Sequence, residues 1–148
     1  MSLRAFNSGC NVIAFSKEGK KYGMVCAWAM HVDYDRLALL IGGQSVTGKN
    51  INVGDFVGLS ALAEGQEVIA HQLGENHSDV GDKFNGIETE QAGIVVYIKD
   101  AKVKMYCEVS KINVLNSEGD KLVFPNVLKH TSDKNKKFLP LEAVYPEE

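Results

Sequence analysis

A chain of 148 residues, 45% apolar and 24% charged, has the make-up of one globular domain, long enough to bury an apolar core without disulfides or a metal. Its 16 Lys plus Arg against 19 Asp plus Glu leave a net charge of -3, which lacks the positive field that backbone-driven nucleic-acid binding needs. The three cysteines are widely separated and form no CxxC pair, so they read as reduced, partly buried thiols rather than a disulfide framework or a zinc site. MSLRAFNSGC has no apolar signal core, and the longest aliphatic run, at residues 37–41, is too short for a bilayer. The expectation is a soluble, cytoplasmic protein with neither nucleic acid nor membrane as partner.

In chain order, residues 11–16 and 22–31 predict two strands joined by a charged, glycine-containing hairpin at residues 17–21. The apolar run at 37–41 ends on Gly42 and Gly43, as a strand buried on both faces does. Ser45 or Thr47 can cap a short helix that Gly48 and Gly54 keep brief. A strand over 55–62 and a helix over 65–73, stopped by Gly74, follow. Residues 75–86 read as a polar loop. From Ile94 the pattern is strands at 94–98, 103–115 and 121–127, with a hairpin turn at 116–120 and Val103, Met105, Cys107 and Val109 alternating onto a core face. This second half reads as an antiparallel meander. Residues 129–137 are lysine-rich and read as a solvated surface, whereas 138–146 are too apolar for a free tail.

Three clusters carry candidate chemistry. Residues 43–50 match GxxxxGK after an apolar strand, but Asn50 stands where a Walker A loop needs a Ser or Thr for Mg²⁺, and the antiparallel second half is wrong for that fold. Two readings survive, an anion cradle of hydroxyls, a glycine, Lys49 and backbone N–H groups at a helix start, or simply a capped surface helix. Residues 77–84 form a polar loop ending in Lys83 and Phe84; His77, Asp79 and Asp82 match no metal-ligand spacing. Residues 24–28 carry the only tryptophan, Trp28, whose default reading is a core side chain.

The three clusters, in this order and on this strand plan, resemble the flavin reductase-like family of FMN-binding split barrels. The family has a T-x-S-W-like segment, then S/T-x-T-x-x-N-I at a phosphate site, then a loop S-G-R-D-x-D-K-F. Here these read Val25-Cys26-Ala27-Trp28, Ser45-Val46-Thr47-Gly48-Lys49-Asn50-Ile51 and Ser78-Asp79-Val80-Gly81-Asp82-Lys83-Phe84, over a span of residues 9–127. The resemblance implies a mainly β fold, an antiparallel Greek-key split barrel with a few short helices, as a single domain over 1–148. Its C-terminal segment, 128–148, would dock on the barrel or on a partner subunit.

The cofactor so implied is FMN, with NAD(P)H as co-substrate. Its phosphate would lie on Ser45, Thr47 and the N–H groups of Val46, Gly48 and Lys49. Lys83, with Phe84 beside it, would stand at the pyrimidine side of the ring, and Ala27 and Trp28 would flank the ring or its ribityl chain. Because Met24, Val25 and Cys26 replace the family's small polar residues, contacts from that strand fall to its backbone. No side chain is nominated as a catalytic acid, base or metal ligand. The family implies a homodimer, and a separate redox protein is a further candidate partner. Two other readings stay open: an FMN-binding electron-transfer protein that does not oxidise NAD(P)H directly, and a barrel for a non-flavin ligand.

Overall fold

The computed structural model describes residues 3–75 and 82–146. The elements run β1 (Asn11–Lys17), β2 (Lys20–Cys26), β3 (Ala29–His31), β4 (Leu37–Ile41), α1 (Val46–Lys49), β5 (Phe56–Ala61), α2 (Glu67–Glu75), β6 (Thr89–Ala92), β7 (Val95–Ile98), β8 (Val103–Val114), β9 (Lys121–Ser132) and α3 (Leu141–Val144). All strand pairings are antiparallel, in the order β3-β4-β9-β8-β5-β1; β1 also pairs with β2 and, at Phe15, with Val95 of β7, which carries β6. The sheet curls without closing, and β2 pairs with β1 alone among the described strands.

Alternation explains where the core lies. On β1, Ile13 and Phe15 face the barrel interior with Leu39, Ile41, Val57, Leu59, Cys107 and Val123. Val12 and Ala14, pointing the other way, meet a second cluster built from Ala70 and Leu73 of α2, Val96 and Ile98 of β7, and Leu139, Leu141 and Val144 near the C-terminus. These four β1 side chains are at most 1% exposed, and burying each large one removes about 1.5–3 kcal/mol of apolar hydration cost. β1 is thus a central strand covered on both faces.

The sequence-based elements differ from the structure in a few instructive places. The single strand expected over 22–31 breaks at Ala27 and Trp28, where the chain leaves β1 and resumes as β3 on β4. Gly74 does not stop its helix. It lies inside α2, where a β-carbon would come within 2.9 Å of the Tyr145 hydroxyl, so it serves close packing. β6 was not anticipated, because its Thr-Glu-Gln-Ala sequence has no apolar alternation. β9 continues to Ser132 through residues read as a solvated segment; Lys129 and His130 are exposed there, as charges on a sheet margin are. Trp28 is 50% exposed and not a core residue.

The C-terminal segment is stitched to the rest of the chain. Leu139 N–H donates to Leu62 O, Cys10 N–H donates to Leu139 O, and Leu141 N–H donates to Ser8 O. All three cysteines are free and buried, and burial pushes the Cys10 thiol up to about 11 and those of Cys26 and Cys107 to about 12. Among the described residues no helix is long and apolar enough to cross a membrane.

Candidate functional site

The unpaired edge of β2 is the structural origin of the site. Glu18 and Gly19 both have positive φ, at 51° and 78°, which gives the two-residue turn whose flanking residues, Lys17 and Lys20, form a hydrogen-bonded pair. Strict alternation then sends the N–H and C=O groups of Lys21, Gly23 and Val25 away from β1. Along this edge, between β4 and the α2–α3 layer, runs a groove of about 470 Å³. Its floor is Met24 to Trp28; one wall is Leu40, Gly42 and Asp120, and the other is Gly74, Leu141, Tyr145 and Arg4. The groove therefore offers main-chain donors and acceptors, apolar walls and a half-exposed indole.

Ala27 and Trp28 stand in this groove by way of the β2–β3 corner. Leu40 N–H donates to Trp28 O at 2.9 Å, and the Cys26 thiol, oriented toward Trp28 O and Leu40 O at 3.4 Å each, ties the corner to β4. With that thiol held protonated by burial, Cys26 is a structural post and no nucleophile.

The segment Ser45 to Lys49 adjoins the β4 wall. Ser45 caps α1: its hydroxyl donates to Gly42 O and accepts from Gly48 N–H, both at 2.9 Å. The hydroxyl is thereby committed to the turn, which leaves it no donor for a phosphate. Thr47 and Gly48 are buried, Val46 is half-buried and Lys49 is exposed. A β-carbon at Gly48 would meet Ser45 Oγ at 2.6 Å and Ile41 Cγ2 at 2.8 Å, so only glycine fits that close approach. Behind it Lys121 Nζ donates to Gly48 O at 2.7 Å. Asp120 accepts from Gly43 N–H at 2.8 Å and from Asn116 Nδ2 at 3.0 Å, and these bonds hold its carboxyl below the usual carboxylate range.

Lys83 and Phe84 lie at the hairpin end of the same β2 edge, outside the groove walls. The turn that carries them is sewn to α2: Gln72 Nε2 donates to Lys83 O at 2.7 Å and to Asn85 O at 2.8 Å. The Phe84 ring sits in the outer core over Gly23, where a β-carbon would approach its Cζ to 2.4 Å. Lys83 is 7% exposed, and its ammonium has no hydrogen-bond or ion-pair partner among the described residues; burial brings its pKa down to about 8. The rest of the loop motif, Ser78 to Gly81, and His77 lie outside the described residues.

Sequence reasoning missed Arg4, Asp120 and Tyr145 as groove residues. Only Arg4 had a signal, as one of two arginines in the chain. A second cleft, about 500 Å³ between Glu90, Tyr97, Lys104 and Lys129, is less apt: Lys104 is spent on Glu90 at 2.5 Å and Lys129 lies over the Tyr106 ring. Among the described residues no group of His, Cys, Asp and Glu could hold a metal ion.

Several solved structures share this fold. The NADH:FAD oxidoreductase of Streptomyces globisporus is 15% identical with a TM-score of 0.81, over 91% of this chain and 81% of that one. The FMN-binding protein of Thermus thermophilus with bound p-hydroxybenzaldehyde is 15% identical with a TM-score of 0.78, over 90% and 82%. The flavoredoxin of Methanosarcina acetivorans is 14% identical with a TM-score of 0.77, over 90% and 73%. At these identities the likeness is one of fold, and no curated protein matches the sequence. The model of the flavin reductase like domain, however, matches residues 3–141, so the chain belongs to the flavin reductase-like family.

Proposed function

We propose that the protein is an FMN-dependent oxidoreductase that takes hydride from NAD(P)H and passes electrons to a free flavin or another acceptor. The observation that carries this reading is the groove along the free edge of β2. A flavin ring needs main-chain donors and acceptors along its polar edge and apolar surface against its faces, and the groove supplies both. Bound FMN itself supplies the hydride chemistry. The chain's residues bind and orient: Val25 and Ala27 through the backbone, Trp28 through its exposed face, and the start of α1 through the Val46 N–H and the Lys49 charge, with the Gly48 and Lys49 N–H groups spent on Ser45. Lys83 contributes positive charge at the far end of the same strand edge, where an anionic ligand group would compensate its burial.

The same reading makes the active form a homodimer of single-domain chains. Trp28, Met30 and Val32, at and beside β3, are 50%, 63% and 51% exposed, and a second copy covering them would close the groove to water. Buried, unpaired thiols suit the reducing cytoplasm as its location.

The test is the visible spectrum of the purified protein with added FMN, followed by anaerobic NADH or NADPH. A bound-flavin spectrum that bleaches on adding the nicotinamide is the expected outcome. A bound flavin that stays oxidised would leave an electron carrier, and no binding at excess FMN would remove the flavin altogether.

A further inference from the structure

Arg4 is the unexplained charge of the groove. It precedes β1, yet its side chain lines the wall that Tyr145 and Leu141 form from the other end of the chain, and it is only 18% exposed. Its ion-pair partner among the described residues, Glu142, is 3.9 Å away and 57% exposed, a distance and setting in which an ion pair contributes little. The groove's other charged lining residue, Asp120, is committed to Gly43 N–H and Asn116 on the opposite wall. A guanidinium largely removed from water beside open space, with one long contact to a carboxylate, keeps most of its fork for another anion, and its geometry matches phosphate oxygens two at a time.

We infer that Arg4 binds the pyrophosphate of a dinucleotide lying in this groove. The inference rests on the flavin reading above. A mononucleotide has one phosphate, and the start of α1 on the β4 wall already suits it. A second anion site on the opposite wall, with the β2 floor between, calls for a ligand with another phosphate group. Two sources carry that chemistry: FAD in place of FMN, and the nicotinamide dinucleotide co-substrate.

The experiment uses the full chain as wild type, Arg4→Gln and Arg4→Lys, titrated with FMN, FAD and ADP, followed by steady-state kinetics with NADH. Arg4→Gln is expected to weaken ADP about 10- to 100-fold, the range for a hydrogen bond to a charged group, while changing FMN affinity less than about threefold. Arg4→Lys restores part of the loss, because charge remains and the fork does not. If FAD affinity falls with that of ADP, the pyrophosphate is that of FAD; if FAD is unaffected while KM for NADH rises at unchanged kcat, it is that of the nicotinamide. Equal ADP, FAD and NADH behaviour in wild type and Arg4→Gln overturns the inference, with the flavin reading intact wherever FMN still binds. A chain that binds no flavin loses the flavin reading, and ADP alone then decides on Arg4. Should Arg4→Gln fail to fold, Arg4→Lys decides: its ADP affinity should lie below that of the wild type, and unchanged affinity rejects the site.

Discussion

Gly58 of β5 passes so close to Val96 of β7 that a β-carbon on Gly58 would lie 2.0 Å from the Val96 carbonyl oxygen. The neighbouring Ser60 hydroxyl accepts the Ile98 N–H at 3.0 Å from a fully buried position. This crossing is where β7 leaves the barrel edge to support the outer cluster, and it sets the spacing between the two cores. Gly58→Ala cannot be relieved by a rotamer change, since the obstacle is backbone. We predict a loss of about 3 kcal/mol, the upper range for overpacking, read as a lower urea midpoint at unchanged slope. A midpoint within experimental error of wild type would mean that β5 and β7 do not approach this closely.

Lys83 makes the stability of the ligand-free protein depend on alkaline pH. Its folded pKa of about 8 lies below the ordinary lysine value of 10.5, so between those values the unfolded chain holds more protons and stability rises with pH. Below about pH 8 the full burial penalty is present. Lys83→Met should therefore raise stability at pH 7 by about 2 kcal/mol, and the gain should vanish by pH 10.5. Denaturant curves at pH 7 and pH 10 check this; a constant difference would deny that burial of the charge is the cause. Under the proposed function the same variant binds FMN more weakly, so stability and affinity move in opposite directions.

Much of the barrel was legible because its strands alternate or run apolar without interruption. Val12 to Phe15, Leu37 to Ile41 and Met105 to Val109 each carry a burial pattern that a period of two or a short apolar run reveals. β6 was not legible, since its position is set by pairing with β7 and by the turn at Gly93, whose φ is 63°. Exposure of Trp28 could not be read either: it follows from a break in strand pairing, which composition does not encode. The two motif segments did lead to the β2–β3 corner and to α1. Arg4 and Tyr145 join the groove from opposite ends of the chain, a long-range juxtaposition that no local pattern announces.

Asp120 gives the β4 wall its shape and should show as an acid-side effect. Its carboxylate accepts from Gly43 N–H and Asn116, and a β-carbon at Gly43 would lie 2.2 Å from Glu118 O, so the turn and the glycine loop are fitted face to face. With the folded carboxyl held below its ordinary value, the stabilisation is present above the unfolded pKa and is lost as pH falls through the folded one. Asp120→Asn should flatten that part of the acid unfolding curve. It should also raise amide exchange at Gly43; unchanged protection there would mean that the turn holds without the carboxylate.

The cradle at α1 makes an asymmetric prediction. Ser45→Ala removes the cap bond to Gly48 N–H and should cost about 1 kcal/mol of stability, whether or not any phosphate binds. Thr47→Ala paired with Lys49→Ala should cost FMN affinity, and Lys49 is the smaller contributor because its side chain is exposed. Fluorescence titration with FMN and with riboflavin separates the terms, since riboflavin lacks the phosphate. The double variant should lose its preference for FMN over riboflavin, and a preserved preference would move the phosphate away from α1.

The exposed strand face beside the groove tests the dimer. Trp28 at the corner, Met30 of β3 and Val32 just after it are all exposed, with Ala38 of β4 opposite Met30. Burial of such a row against its symmetry mate follows from the isologous rule that one patch must complement itself. Met30→Lys places two like charges near each other across that contact and should shift the mass in sedimentation or light scattering from two chains toward one. Because the proposed partner subunit closes the groove, FMN affinity should fall with the dimer and recover at high protein concentration. A wild-type monomer that binds FMN fully would show that the groove needs no partner, and that Trp28 meets its ligand from one chain alone.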